Sequence, residues 1–240
     1  MYLALLAAGR GSRLPEKYRN APKCLVEINN KSILSHNLDF YNKFKNKIII
    51  TGFKSKELKN FIKLKKFISI KNKDYEKTNM VHSLFKINKI KEKDIVVCYS
   101  DIIFNPSIYL NLKKSKNRNT ILLKKNWLNV WKGRMNQKEI LKDAEQVVVK
   151  KSILISIGDK LENKLPNYQY MGIMKFKTTD FFKLKTFYKK INDKKIDLTS
   201  FINLALKNNI IKFNVSTTNK YWFELDNLKD IKYTEKQLLL

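Results

Sequence analysis

Over its first 105 residues the chain alternates short apolar runs with stretches of helical spacing, and that alternation admits few folds. Tyr2–Ala7 is a continuous apolar run with a glycine soon after it, the pattern of a strand buried on both faces. Residues 32–44 place Ile33, Leu34, Leu38, Tyr41 and Phe44 at helical spacing, with Ser32 positioned to cap the first turn. Lys47–Thr51 reads as a second strand, 55–64 as a helix, 67–70 as a strand, 79–90 as a helix and 95–99 as a fourth strand running into Ser100 and Asp101. This β-α-β-α-β-α-β order predicts an α/β fold with a mostly parallel sheet and helices on both faces.

Beyond Asp101 the texture changes. Residues 106–114 read as a helix and 120–123 as a strand, while 126–143 read as irregular and rich in aromatic and charged residues. A hairpin is expected from 146–150 and 153–157, turning at Lys151 and Ser152, followed by a strand at 170–176. Helices at 178–191 and 198–208, a strand at 210–215, a short apolar piece at 222–226 and a closing helix at 227–240 complete the reading. There is neither an internal repeat nor a long linker, so 240 residues suit one α/β domain with a lid-like second half.

Composition narrows the function classes. Apolar residues make up 43% of the chain, which points to a folded globule rather than a disordered segment. No apolar run approaches the length of a membrane span, so no integral membrane association is expected. Residues 1–8 enter the following loop with no basic leader, and two cysteines make no disulfide framework; a cytoplasmic protein without a signal peptide is expected. The formal charge of +29 is carried almost wholly by lysines dispersed along the chain, with arginine only at Arg10, Arg13, Arg19, Arg118 and Arg134. Nucleic-acid readers concentrate charge in a stripe and favour arginine, so the excess reads as composition bias and no nucleic-acid partner is expected. The positive field still favours phosphorylated ligands.

The chemistry is concentrated in Leu5-Leu6-Ala7-Ala8-Gly9-Arg10-Gly11-Ser12-Arg13-Leu14, followed by Pro22-Lys23-Cys24-Leu25. Gly9 and Gly11 allow the backbone to approach a phosphate closely and cradle it with N–H groups. Arg10 and Arg13 have the charge and geometry to grip β and γ phosphates, and Lys23 to neutralise charge developing on the α phosphate. Gly-x-Gly by itself better describes a turn after a buried strand with solvated basic residues. It is neither a Walker loop nor a full dinucleotide fingerprint.

The wider pattern resembles a family. Leu-Ala-Ala-Gly-x-Gly-x-Arg-Leu followed by Pro-Lys-x-Leu is similar to the signature of nucleotidyltransferases that act on sugar phosphates and related compounds. Further matching pieces are Thr51-Gly52-Phe53-Lys54, Tyr75-x-x-Thr78-Asn79-Met80-x-x-Ser83-Leu84 and Ser100-Asp101-Ile102-Ile103-Phe104. In the second half they are Asp143-Ala144-Glu145, Tyr170-Met171-Gly172, Asp197-x-Thr199-Ser200 and Trp222-Phe223-Glu224-Leu225-Asp226. The set spans nearly the whole chain and most resembles the branch of CTP:phosphocholine and phosphonate cytidylyltransferases.

The resemblance implies a Rossmann-like three-layer αβα fold with a mostly parallel mixed sheet and a lid-like insertion forming an acceptor pocket. It implies a single nucleotidyltransferase domain over 1–240, with 1–105 binding nucleotide and 106–240 supplying the acceptor site, the lid and a second metal carboxylate. Ala7, Ala8, Gly9, Arg10, Gly11, Ser12, Arg13, Asn79, Ser83 and Ser100 would hold the nucleotide, and Lys23 and Arg13 would act in catalysis. Asp101, at a strand's carboxyl end, and Asp226, with Glu224 two residues before it, would bind Mg2+ through hard oxygen ligands. Lys54, Trp131, Tyr170 and Asp197 would meet the acceptor. Aromatic rings suit a cationic amine, and equally fill a core. The expected partners are therefore CTP and a small phosphorylated or phosphonate acceptor such as phosphocholine, phosphoethanolamine or an aminoalkylphosphonate.

Two departures refine this. Pro15-Glu16-Lys17-Tyr18-Arg19 replaces the Pro-x-Thr of sugar-1-phosphate enzymes, and Phe53 lacks the hydroxyl found at that position in the family. The preference for CTP rests on likeness to the branch. The rival readings are a sugar-1-phosphate enzyme using UTP or dTTP, and a non-catalytic basic nucleic-acid-binding protein.

Overall fold

The computed structural model describes residues 1–116, 118–161 and 164–239. In chain order the strands are β1 (Tyr2–Ala7), β2 (Glu27–Ile28), β3 (Lys31–Ser32), β4 (Lys47–Thr51), β5 (Ile68–Lys71), β6 (Asp94–Tyr99) and β7 (Ile102–Phe104). They continue as β8 (Thr120–Lys124), β9 (Glu145–Lys150), β10 (Ile153–Lys160), β11 (Gln169–Lys177), β12 (Asn214–Thr218) and β13 (Trp222–Glu224). Among the described residues, nine of them form one sheet in the order β5-β4-β1-β6-β11-β8-β12-β10-β9. The pairs β5–β4, β4–β1, β1–β6 and β8–β12 are parallel, and only β10 and β11 run against the rest. The sheet is thus mixed and mostly parallel, as expected for an α/β Rossmann-like fold.

The sheet passes through both halves of the chain. All six residues of β1 are buried, and alternate residues feed opposite faces. Ala4 and Leu6 pack with Val81, Leu84, Phe176 and Phe201 on one face; Leu3 and Leu5 pack with Phe40, Phe104, Trp127 and Trp222 on the other. A central strand covered on both faces needs this uninterrupted apolar run. Because its neighbours β4 and β6 are also buried, β1 sits rigidly, and its carboxyl end is a fixed platform for the loop that follows.

Four sequence expectations need correction. Residues 32–44 form two short helices, Ile33–His36 and Leu38–Tyr41, broken at Asn37. The buried Asn37 amide donates to Ile33 O (3.2 Å) and Ile102 O (2.7 Å) and accepts from Phe104 N (3.3 Å), tying this segment to β7. Residues 126–143 are not irregular: they contain the helices Trp127–Lys132 and Gln137–Asp143, the second opened by a capping box between Asn136 and Glu139. The strand expected at 210–215 lies instead at 214–218, and the helix at 79–90 is confined to Met80–Leu84. The hairpin β9–β10 forms as expected, with Lys151 (φ +48°) and Ser152 (φ +61°) both left-handed, as a two-residue type I′ turn requires. The closing helix spans Leu228–Gln237; residue 240 of the predicted helix lies outside the described residues.

Candidate active site

Two clefts meet at the carboxyl ends of the central strands, where open α/β sheets bind ligands. The first lies between the loop after β1 and helix Met80–Leu84, and Ala7, Ala8, Gly9, Lys23, Asn79, Ser83, Ser100 and Asp101 are among its lining residues. Arg10, Ser12 and Arg13 are exposed beyond its mouth. Gly11 is left-handed (φ +69°), and a Cβ there would press on Lys23 at 3.1 Å, so glycine keeps the loop against the lysine. Gly52 serves the same loop from below: its added Cβ would lie 2.7 Å from Ala8 O, while Phe53 N donates to that same oxygen at 3.2 Å. The Phe53 ring, in place of a hydroxyl, lies 5.4 Å below the Arg10 guanidinium, a cation–π contact that steadies an exposed arginine.

Lys23 is the hub. Its Nζ donates to Asp101 Oδ2 at 2.7 Å and to Asp226 Oδ1 at 2.5 Å, joining residues 203 positions apart, and Arg13 Nη2 reaches Asp226 Oδ1 at 2.8 Å. Burial alone would depress the Lys23 ammonium, but the Asp101 and Asp226 charges outweigh it and raise it above the ordinary lysine value. Asp226 is opposed by burial too, yet Lys23 and then Arg13 hold it below the usual carboxylate range. Glu224 has no such partner: burial first, then the charges of Asp226 and Asp101, push it up to about 8. Arg134, at 3.9 Å, only partly offsets this.

This corner therefore carries more negative charge than Lys23 balances. Its donors are carboxylate oxygens, which suit a hard divalent cation completed by substrate phosphates. Among the described residues no group of three or more His, Cys, Asp or Glu side chains is arranged to hold a metal ion. Asp101 and Asp226, bridged by Lys23, are the two carboxylates here that could contribute hard oxygen donors to such an ion, with Glu224 beside them.

The end of this cleft at Ser83 contains a network that sequence reasoning missed. Asn72, fully buried, donates to Ser83 Oγ at 2.9 Å and to Thr78 Oγ1 at 3.0 Å. The Ser83 hydroxyl accepts from that amide and donates to Asn79 O at 3.5 Å, so the network runs from Asn72 into the first turn of the helix. Asn79 is engaged locally: its side-chain oxygen accepts from Met80 N at 2.7 Å, and its amide donates to Lys195 O at 3.0 Å. Ser100 lines the cleft while donating to Leu6 O at 2.6 Å, which ties β6 to β1. Asn72 follows β5 as one asparagine in a lysine-rich run, and nothing in its spacing marks it.

The second cleft shares Met80 and Tyr99 with the first and is lined by Trp131, Asp143, Glu145, Gln169, Tyr170, Asp197 and Glu224. Trp131 and Tyr170 belong to both readings made of them: each is buried in the core and faces this cleft. Trp127 is a core residue, its indole donating to Pro166 O at 3.0 Å. Burial and the neighbouring Asp197 charge push Glu145 up, against a hydrogen bond from Thr199. Asp197 caps helix Leu198–Lys207, and although burial opposes it, bonds from Ser200 and Thr199 hold its carboxyl low. Lys54 lines neither cleft; its ammonium donates to Asn20 O at 2.8 Å.

The wall between the clefts is tightly built. Gly172 in β11 has φ +77°, and an added Cβ would lie 2.9 Å from the Tyr99 ring. Gly172→Ala is expected to lower stability by about 1–3 kcal/mol through overpacking and backbone strain, read by denaturant titration. A loss below about 0.5 kcal/mol would mean the ring moves aside freely.

No family model matches the chain. It is 28% identical to the CTP:phosphoglutamine cytidylyltransferase of Campylobacter jejuni, with 97% of this chain and 98% of that protein covered. In structure it matches the inositol-1-phosphate CTP transferase of T. maritima with a TM-score of 0.80 at 16% identity, covering 98% and 94% of the two chains. The CTP:phosphocholine cytidylyltransferase of Streptococcus pneumoniae gives a TM-score of 0.77 at 17% identity, covering 99% and 98%. No helix among the described residues is long and apolar enough to cross a membrane. The chain is thus similar over nearly its whole length to a cytidylyltransferase, and it has the fold of nucleotidyltransferases of known structure.

Proposed function

We propose that this protein transfers CMP from CTP to a small phosphorylated or phosphonate acceptor that carries a cationic amine. The carrying observation is the contrast between the two clefts: Lys23 lines the first, with Arg10 and Arg13 exposed on the loop at its mouth, whereas Asp143, Glu145 and Asp197 line the second with no lysine or arginine among its lining residues. In a chain of net charge +29, an acidic, aromatic-lined pocket selects for positive charge on its ligand. The choice of CTP is supported by the relatives, which are named for CTP.

In this reading Arg10 and Arg13 hold the β and γ phosphates, and Lys23 offsets charge gathering on the α phosphate. An acceptor oxygen held in the second cleft attacks the α phosphorus in line, the bond to the bridging oxygen breaks, and pyrophosphate leaves. No protein nucleophile is required, so the side chains contribute position and charge. Asp101 and Asp226 would hold Mg2+, with Glu224 close by, and that ion supplies charge neutralisation across the phosphates.

The test is pyrophosphate release with Mg2+, each nucleoside triphosphate in turn, and a panel of acceptors. The panel comprises phosphocholine, phosphoethanolamine, 2-aminoethylphosphonate, phosphorylated amino acids, glycerol phosphates and sugar 1-phosphates. Release with CTP and an amine-bearing acceptor is expected. Release with a sugar 1-phosphate and UTP or dTTP alone would overturn the acceptor and nucleotide assignments together.

A further inference from the structure

Arg134 and Asp230 form a buried pair that touches the site at three points without lining the nucleotide cleft. The Asp230 side chain is fully buried and that of Arg134 is 5% exposed; Arg134 Nη1 donates to Asp230 Oδ1. The second oxygen of Asp230 accepts from the backbone N–H of Asp226 at 2.8 Å and of Asn227 at 3.0 Å. The second amino group of Arg134 faces Glu224 at 3.9 Å, and its guanidinium lies 5.2 Å from the centre of the Trp131 ring. Gly133 makes the approach possible, because a Cβ there would fall 2.2 Å from the Tyr233 ring on the facing helix.

We propose that Arg134 and Asp230 are positioning residues that set the Glu224–Asp226 turn and join it to the aromatic wall of the acceptor cleft. Asp230 completes the capping box of helix Leu228–Gln237 with Asn227, but the cap alone gives little reason to bury Arg134 against it, since desolvating two charges costs about as much as their attraction returns and packed apolar side chains do as well. What an apolar pair lacks is a carboxylate whose free oxygen holds the amide of Asp226 itself. That bond fixes where the Asp226 carboxylate projects toward Lys23, and the guanidinium keeps Trp131 against the same frame. Outer-shell partners of this kind usually change metal affinity or activity by about 10- to 100-fold when altered.

This inference rests on the proposed CMP transfer, and its test separates the two. Arg134→Met, Arg134→Lys and Asp230→Asn are compared with wild type and with Phe213→Leu, a remote core change that serves as a stability control. Three quantities are read: the thermal midpoint, kcat and KM for pyrophosphate release, and binding of Mn2+ in the presence of CTP by the paramagnetic signal of the free ion. Arg134→Met and Asp230→Asn are expected to lower kcat by about 10- to 100-fold and weaken Mn2+ binding by about tenfold. The KM for CTP should stay within about twofold, because the loop and base contacts are untouched. Arg134→Lys, which keeps the charge but not the planar fork, should fall between. Folded variants with wild-type kcat and Mn2+ binding would overturn the inference, as would an equal loss in Phe213→Leu. If the wild-type chain releases no pyrophosphate, the transfer reading fails by itself, and Mn2+ binding alone decides the positioning role.

Discussion

Lys23→Ala is expected to lower kcat for pyrophosphate release about 1,000-fold, the upper range for losing one preorganised charge stabiliser at a reacting centre. The effect is large because Lys23 does two things at once. In the proposed transfer its ammonium would offset charge on the α phosphate, and it also separates Asp101 from Asp226, 2.7 and 2.5 Å away. Without it, Asp101 and Asp226 repel one another, and the nearest remaining cation to Asp226 is Arg13, whose side chain is 66% exposed and screened by water. The same change leaves the carboxylates freer to take a divalent ion, so kcat should fall while Mn2+ affinity holds or rises. That split distinguishes loss of transition-state charge from loss of the metal site. Steady-state kinetics showing kcat within tenfold of wild type would remove Lys23 from the chemistry.

The second large effect concerns the acceptor. Asp197→Asn and Glu145→Gln are expected to raise KM for an amine-bearing acceptor by about 10- to 100-fold each, the equivalent of one charge-assisted hydrogen bond of about 1.5–3 kcal/mol. The KM for CTP should not follow, since neither residue lines the first cleft. Asp197→Asn is the sharper test because asparagine caps a helix as well as aspartate does, so helix Leu198–Lys207 keeps its cap while the cleft loses a charge. Discrimination between an ammonium and its neutral isostere should shrink in both variants. Unchanged discrimination would show that the amine, if one is bound, is read by the aromatic walls.

The first cleft was legible in the chain because its parts are nearly contiguous. A buried strand, two glycines, two arginines and Lys23 fall within 23 residues, the pattern proposed here to bind phosphate. Asp101 was legible for a related reason: it ends an apolar run, and strand ends in parallel sheets point at ligands. The helices at Trp127–Lys132 and Gln137–Asp143 were missed although Asn136 and Glu139 carry a capping-box pattern, because the charged and aromatic residues around them obscure a helical period. The break at Asn37 leaves no trace in spacing: an apolar repeat continues through it, and only the bonds to Ile102 and Phe104 interrupt the helix.

The sequence by itself determined the alternation of strands and helices in the first half and the identity of the charged groups, since these depend on periodicity and on residue type. Tertiary structure alone decided what those groups face. It placed Asp226 against Lys23 across 203 positions, engaged the Asn79 amide with Lys195, drew Asn72 under Ser83 and buried Arg134 against Asp230. Each of these is a polar contact between distant segments, and a side chain's charge or hydrogen-bonding capacity does not reveal its partner until the sheet has brought the two together.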